Sequence, residues 1–368
     1  MGAPARHPYL DQLRGGAILA VILLHVGGTC PGLPQPVVEL LYSGQFGVQL
    51  FFVVSAVTLM MSWHARQDAA TSFYLRRLFR ILPMWLLAVA AWTILRGMGP
   101  SVWAPSGLAP FDIAAAVLLL HGWVPNAINA VVPGGWSIAA EATFYLVFPL
   151  FAATVTNVPR AIALVIAAIL LELVLEPAVA PLLAGLPVSV RANFFYYWFP
   201  NQAVAFAFGI LAYFVIGTVT GRRRIGAALA TVAGALLIAL PLTTSWGGAA
   251  VYGAVFFVLV VGVAGLRGSA PLHPSPLGWM GERSYSAYFW QFPAILGAGL
   301  ITLPDPIANF SIRTLLVLLL TFAASHLSFT FIERPGIAIG RRLGRRSHNT
   351  SPAPDRAGAT ATPARLTP

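Results

Sequence analysis

The sequence predicts an all-α polytopic membrane protein with about ten transmembrane helices, and three observations support this fold class. Hydrophobic residues occupy 58% of the 368 positions and charged residues only 9%, whereas a typical soluble domain has about 25% charged residues. The mean hydropathy is +0.79. Apolar stretches close to the roughly 20 residues that cross a bilayer recur along the chain. They lie near 13–28, 44–63, 81–95, 136–155, 161–180, 201–220, 226–243, 249–266, 284–300 and 312–332.

The arginine positions predict which ends of these stretches face the cytoplasm, because basic residues are enriched in cytoplasmic loops. Ten crossings from a cytoplasmic N-terminus leave only Arg96, Arg191 and Arg313 outside. This arrangement requires the short apolar piece 113–120 to be re-entrant or interfacial within an outer segment. It places the C-terminus in the cytoplasm as well. Among the arginines inside are then Arg66, Arg76, Arg77, Arg80, Arg160, Arg222, Arg223, Arg224, Arg267, Arg283 and those from Arg334 onward.

Composition also bounds the domain organisation and the chemistry. All 22 basic residues are arginine, so no lysine can form a Schiff base. Cys30 is the only cysteine, which rules out an intrachain disulfide and a CxxC metal site, and no metal site is predicted. The net charge of +11 does not indicate nucleic acid, because the basic residues lie between apolar stretches. We predict one transmembrane domain over 1–335 and a basic, then disordered, cytoplasmic tail over 336–368.

Two ionisable residues lie in the first apolar stretch. Arg14 and His25 are 11 residues apart, which on a helix is about three turns, so they share a face roughly 16 Å apart along the axis. Ionisable groups inside membrane helices are costly and are usually functional or paired. A structural interpretation stays open for each residue, with Arg14 as a cytoplasmic anchor and His25 as a helix-packing histidine.

A second pair of basic residues leads into the third apolar stretch. Arg77 and Arg80 are three residues apart and therefore face the same side of a helix. Guanidinium groups match phosphates bidentately, so these two residues with Arg14 can hold a phosphorylated donor at the cytoplasmic face. The alternative is a basic loop beside a helix end, which serves only to orient the neighbouring helices in the membrane.

The fourth apolar stretch begins with the residues predicted to complete the site. Glu141 lies about one turn into its helix, at a depth similar to that of His25. A carboxylate there would orient the imidazole as a general base; the alternative is a structural carboxylate bonded to the backbone or to Trp136. We predict that Trp136, Ser137 and His121 belong to the acceptor region.

Six short motifs occur in order between residues 9 and 335. They are Leu10–Gly15 with His25, Gly47–Ser55, Arg77–Arg80 before Pro83, Trp136–Glu141 with Tyr145, Ser284–Tyr288, and Phe331–Pro335. In this combination and order they resemble the membrane acyltransferase-3 family, the bacterial O-acyltransferases that include O-antigen acetylases.

The resemblance implies a reaction and a role for each residue. Enzymes of this family transfer an acyl group, commonly acetyl, from acyl-CoA to a hydroxyl of a surface or exported carbohydrate or glycolipid. By position, His25 is the catalytic histidine, Arg14, Arg77 and Arg80 bind acyl-CoA, and Glu141 matches the acidic position of the Trp-Ser motif. The resemblance implies the bacterial inner membrane, with acyl-CoA as donor substrate and no tightly bound cofactor. His25 then acts as a general base in direct transfer or carries the acyl group itself.

Two points leave the function open at this stage. Gln49, Ala142 and Gln291 depart from residues common in the family, which puts the acceptor in doubt more than the donor chemistry. The rival function is a membrane transporter or lipid-linked-sugar flippase, because intramembrane ionisable residues also mark transport pathways. Transporters of that kind are built from inverted repeats, and the sequence shows none.

Overall fold

The computed structural model describes residues 7–66, 69–242, 248–267 and 275–349. Within these ranges the chain is helical and forms no strand, which confirms the predicted all-α class. The end of the predicted tail, 350–368, lies outside the described residues. In chain order the α-helices are α1 (Pro8–Gly27), α2 (Gln35–Tyr42), α3 (Gly47–Arg66), α4 (Ala70–Arg96), α5 (Pro110–Val117), α6 (Trp136–Thr154), α7 (Val158–Val179), α8 (Val188–Tyr197), α9 (Phe199–Val219), α10 (Arg223–Ala239), α11 (Ala249–Arg267), α12 (Pro276–Glu282), α13 (Ser284–Ala298), α14 (Pro306–Ser328) and α15 (Arg334–Asn349).

Nine helical segments in the described ranges are long and apolar enough to cross a membrane, so the chain is a multi-pass membrane protein. They overlap nine of the ten predicted stretches. The exception is 284–300, where α13 has 15 residues, about 22 Å of helix and less than a full span. Only Arg283 separates α13 from α12, so the two helices together cover the missing length. The predicted piece at 113–120 overlaps α5, whose eight residues are too few to cross.

The bundle has a buried centre and a lipid-facing edge. Buried residues make up 67% of the apolar part of the span that contains α3 and 61% of the span that contains α9, but only 11% for the α7 span and 17% for the α10 span. On α7, Leu170 and Leu173 are more than half exposed. In a membrane protein such leucines face lipid, which is as apolar as they are.

Glycines bring α1 and α12 into backbone contact. A Cβ added to Gly15 would collide with the carbonyl oxygen of Leu277, and one added to Gly281 would collide with that of Asp11. Small residues allow this close approach between membrane helices. The contact therefore fixes α12 against the first half of α1.

The pair α12–α13 runs beside α1 in the same direction. Gly281 meets α1 at Asp11, and Gln291 meets it at His25, 14 residues further on. The start of α13 also adjoins the end of α14, where Arg283 Nε donates to His326 Nδ1 at 3.3 Å. The start of α1 and the end of α14 therefore lie at the same end of the bundle.

The last helix packs along the beginning of α4. A Cβ on Gly340 would lie 3.1 Å from the Leu75 carbonyl oxygen and 3.2 Å from the Arg76 Cα, and one on Gly344 would lie 3.4 Å from an Arg76 guanidinium nitrogen. Arg76 is thus on the side of α4 that meets α15. The neighbouring Arg77 and Arg80 turn away from α15 and into the interior.

Candidate active site

A cavity lies between α1, α3, α4, α6 and α13. Its charged lining consists of the guanidinium groups of Arg14, Arg77 and Arg80 and the carboxylate of Glu141. When all four are ionised, positive charge is in excess, which suits an anionic ligand. The rest of the lining is aromatic, aliphatic or hydroxyl-bearing: Val48, Phe51, Phe52, Ser55, Thr58, Leu59, Ile81, Ser137, Ile138, Tyr145, Ser284, Tyr285 and Tyr288.

Arg14 is held at the cavity by two side chains. One guanidinium nitrogen donates to Asp11 Oδ1 at 3.2 Å, one turn earlier on α1. Another donates to Thr58 Oγ1 on α3 at 3.0 Å. The residue therefore has a fixed position in the interior, which the anchor interpretation alone does not require.

Arg77 and Arg80 reach the same cavity from α4, as their i, i+3 spacing predicts. The Arg77 guanidinium lies 5.7 Å from the ring centroids of both Phe73 and Tyr145. Its Nε is buried and has no hydrogen-bond partner in the described structure. Buried polar groups normally have partners, and this nitrogen belongs to a residue that lines the cavity.

Glu141 forms its hydrogen bonds within the cavity that the three arginines line. Its Oε1 accepts a hydrogen bond from Ser55 Oγ at 2.9 Å and a second, short one from the Tyr145 hydroxyl, one turn further along α6. Tyr145 also packs against Arg77. Glu141 thus belongs to the cationic cavity and organises its wall.

His25 lies outside this cavity lining, and the structure gives it a different partner from the predicted one. Its Nδ1 is 3.2 Å from Oε1 of Gln291 on α13, and its ring packs against Phe292 with centroids 4.8 Å apart. The prediction that Glu141 orients the imidazole is therefore wrong in this structure. Glu141 faces α3 and α4, whereas His25 faces α13.

The three predicted acceptor-region residues differ in where they lie. Ser137 lines the cavity and donates to the Gly134 carbonyl at 3.0 Å. Trp136 is buried against Tyr197, with ring centroids 4.7 Å apart. His121 does not line the cavity, and it is 1% exposed. Its ring stacks on a tryptophan of α4.

The environment of His121 keeps it uncharged. Its Nε2 donates to the Gly135 carbonyl at 3.0 Å. Burial lowers the pKa of His121 to about 4, because removal from water disfavours the charged imidazolium. We interpret His121 as a packing residue beneath the Gly134–Trp136 turn.

Several residues of the site were not predicted. The sequence does indicate the contact between Tyr145 and Glu141, because residues four positions apart share a helix face. Gln291 stood out as a departure from the family, but nothing in the sequence indicates its contact with His25, because the two residues are 266 positions apart. Ser55 and Thr58 are recognisable only once α3 is placed beside α1 and α6. Among the described residues, no group of three or more His, Cys, Asp or Glu side chains is placed to hold a metal ion.

Comparison with known proteins gives consistent matches over most of the chain. A family profile described as an acyltransferase domain matches residues 7–329. The acyltransferase MdmB of Streptomyces mycarofaciens is 28% identical over 95% of each chain. The peptidoglycan O-acetyltransferase OatA of Listeria monocytogenes is 24% identical over 89% of this chain and 55% of its own length. The O-acetyltransferase OatA of Staphylococcus aureus is 24% identical over 91% and 58%. No solved structure matches.

Proposed function

The chain belongs to the acyltransferase-3 family of membrane enzymes, and from this premise we propose that it transfers an acyl group, in the first instance acetyl, from cytoplasmic acyl-CoA to a carbohydrate or glycolipid hydroxyl. It is an O-acyltransferase, so the transporter alternative is set aside. The observation that carries the proposal is the convergence of Arg14, Arg77 and Arg80 on one cavity.

The cavity has the chemistry that an acyl-CoA donor requires. Guanidinium groups recognise phosphate oxygens through paired hydrogen bonds, and the unpartnered Nε of Arg77 is available for one. Apolar side chains such as Val48, Phe51 and Ile138 line the same space, where an uncharged pantetheine arm can pack. One cavity thus offers sites for both the phosphates and the arm.

His25 supplies the base in this proposal. It is 11 residues beyond Arg14 on α1, about 16 Å along the helix axis, so the acyl end of a donor held at the arginines extends toward it. His25 takes the proton from the acceptor hydroxyl while that oxygen bonds to the thioester carbon. The tetrahedral intermediate then breaks its C–S bond, and the thiolate of coenzyme A leaves with a proton from the imidazolium.

The membrane orientation supports transfer from one face toward the other. The start of α1 and the end of α14 lie at the same end of the bundle, and basic residues favour the cytoplasmic side. In this proposal that end, with the arginine cavity, is the cytoplasmic one and the membrane is the bacterial inner membrane. Two relatives carry O-acetyltransferase names, one of them for peptidoglycan, which favours a carbohydrate acceptor on the far side.

The test is acyl transfer by purified protein in nanodiscs with labelled acetyl-CoA and an extract of lipid-linked and surface glycans. A positioned base raises the rate about 10²–10⁴-fold, so the turnover of His25→Ala should fall by that factor. The variant should still fold as the wild type does. His64→Ala is the matched control, because His64 is exposed near the end of α3, bonds to the Met60 carbonyl of its own helix and stacks on Tyr213, and neither residue lines the cavity. Normal turnover by a folded His25→Ala protein would refute the assignment of the base.

A second measurement separates direct transfer from a two-step route. Incubation with labelled acetyl-CoA in the absence of acceptor leaves the protein unlabelled in direct transfer. A labelled protein that loses its label on addition of acceptor would instead establish an acyl-enzyme intermediate, and loss of the label in His25→Ala would assign it to His25.

A further inference from the structure

The partner of His25 is an amide whose orientation is fixed by the backbone. Gln291 is 0% exposed. Its Nε2 donates to the Tyr288 carbonyl oxygen at 3.1 Å, which leaves Oε1 directed at His25 Nδ1 at 3.2 Å. An amide oxygen accepts hydrogen bonds and cannot donate them. The atom that approaches it must therefore carry a hydrogen.

This contact determines where the imidazole can accept a proton. A neutral histidine has one N–H and one nitrogen with a lone pair, and the hydrogen bond made by one nitrogen sets the role of the other. With Nδ1–H bonded to Gln291, the lone pair is on Nε2. The Phe292 ring at 4.8 Å limits rotation of the imidazole away from this arrangement.

We propose that Gln291 is a positioning residue that holds neutral His25 as its Nδ1–H tautomer and makes Nε2 the nitrogen that takes the acceptor proton. The proposal rests on the function proposed above, and it names the group that prepares the base. The choice of an amide matters, because an amide orients the ring without adding a negative charge that would favour the protonated imidazole before substrate arrives.

Two substitutions at this position distinguish positioning from packing. Gln291→Leu has similar size and suits a fully buried site, but it removes the amide acceptor and leaves the ring only the Val21 carbonyl of its own helix, which also hydrogen-bonds His25. We expect kcat to fall about tenfold, the equivalent of one hydrogen bond. Gln291→Glu keeps the acceptor and adds a charge, so activity persists while the acidic limb of the pH–rate profile moves up by about one pH unit or more. A packing role predicts the reverse, with Leu active and Glu inactive.

A control variant tests whether any buried glutamine would behave in this way. Gln202 is also 0% exposed and accepts a hydrogen bond from Gln49 at 2.8 Å, but it does not line the cavity or contact His25. Gln202→Leu should leave the pH–rate profile in place, whatever it does to thermal stability. A Gln291→Leu enzyme with the kcat and pH profile of the wild type would overturn the proposal.

A spectroscopic measurement tests the tautomer in the unmodified protein. Nitrogen NMR of ¹⁵N-histidine-labelled protein in nanodiscs, with the His25 signal assigned by its loss in His25→Ala, reports which ring nitrogen carries the hydrogen. Hydrogen on Nδ1 supports the proposal, and hydrogen on Nε2 overturns it. If the hydrogen is on Nε2 but the His25→Ala protein is inactive, the role of Gln291 is refuted and the proposed function stands. If the hydrogen is on Nδ1 but the His25→Ala protein is active, only the catalytic role of His25 is refuted.

Discussion

Replacement of Arg77 by alanine tests whether the cavity binds the donor or the arginines serve only topology. Arg77 and Arg76 are adjacent and carry the same charge at the same end of α4, so a topological role makes them equivalent. Arg77 lines the cavity, whereas Arg76 lies against α15. Donor binding therefore predicts a defect for Arg77→Ala and none for Arg76→Ala.

The size of the defect follows from the contacts of Arg77. Its Nε has no partner within the described structure, and its ring contacts at 5.7 Å are of the kind that contributes about 0.5–2 kcal/mol. Its main contribution is then a charge-assisted hydrogen bond to the donor, about 1.5–3 kcal/mol. This corresponds to a rise of about tenfold to hundredfold in KM for acetyl-CoA.

The assay is steady-state acetyl transfer in nanodiscs with acetyl-CoA varied at saturating acceptor. We expect kcat to change less than KM, because a phosphate contact remote from the thioester stabilises the bound donor and the transition state alike. Arg77→Lys should be intermediate, since an ammonium group lacks the paired geometry of guanidinium. Equal KM values for the Arg76→Ala and Arg77→Ala enzymes would refute the reasoning.

Two further predictions follow from the same geometry. Glu141→Gln should leave the acidic limb of the pH–rate profile unchanged and kcat within about tenfold of wild type, because Glu141 accepts from Ser55 and not from His25; a shifted limb would contradict this. Gly15→Ala should lower the thermal midpoint through an overpacking cost of about 1–3 kcal/mol, while Gly16→Ala, which has open space, should not. Equal midpoints in detergent would rule out the α1–α12 contact.

The fold was predictable where hydropathy and length decide it. Stretches such as 161–180 and 249–266 correspond to α7 and α11 within a few residues, because a bilayer requires long apolar helices. The stretch at 284–300 shows the limit of this signal. Its apolar character is real, but the preceding α12 is shorter and more polar and is held by glycine contacts to α1. Those contacts depend on residues more than 260 positions apart and leave no local pattern.

The candidate site was predictable for groups that share a helix and not for groups that meet between helices. Spacing on α4 placed Arg77 and Arg80 on one side, and the structure places both in the cavity. Similar depth suggested that Glu141 and His25 would pair. Depth fixes a residue's level in the membrane and leaves open the direction in which its helix face points, which packing alone determines. In this protein the packing directs Glu141 toward the arginine cavity, where it bonds to Ser55, and His25 toward Gln291.

The arrangement of α1 and α13 links the donor cavity to the base through one packed pair of helices. Arg14 and His25 are on α1, and α13 places Tyr288 at the cavity and Gln291 at the imidazole, three residues or about 4.5 Å apart along the axis. The Tyr288 carbonyl also fixes the Gln291 amide. A shift of α13 along α1 would therefore change the upper wall of the cavity and the orientation of His25 together. The backbone contacts made by Gly15 and Gly281 oppose that shift, so in the proposed mechanism these glycines would help to position the base although neither touches a reacting group.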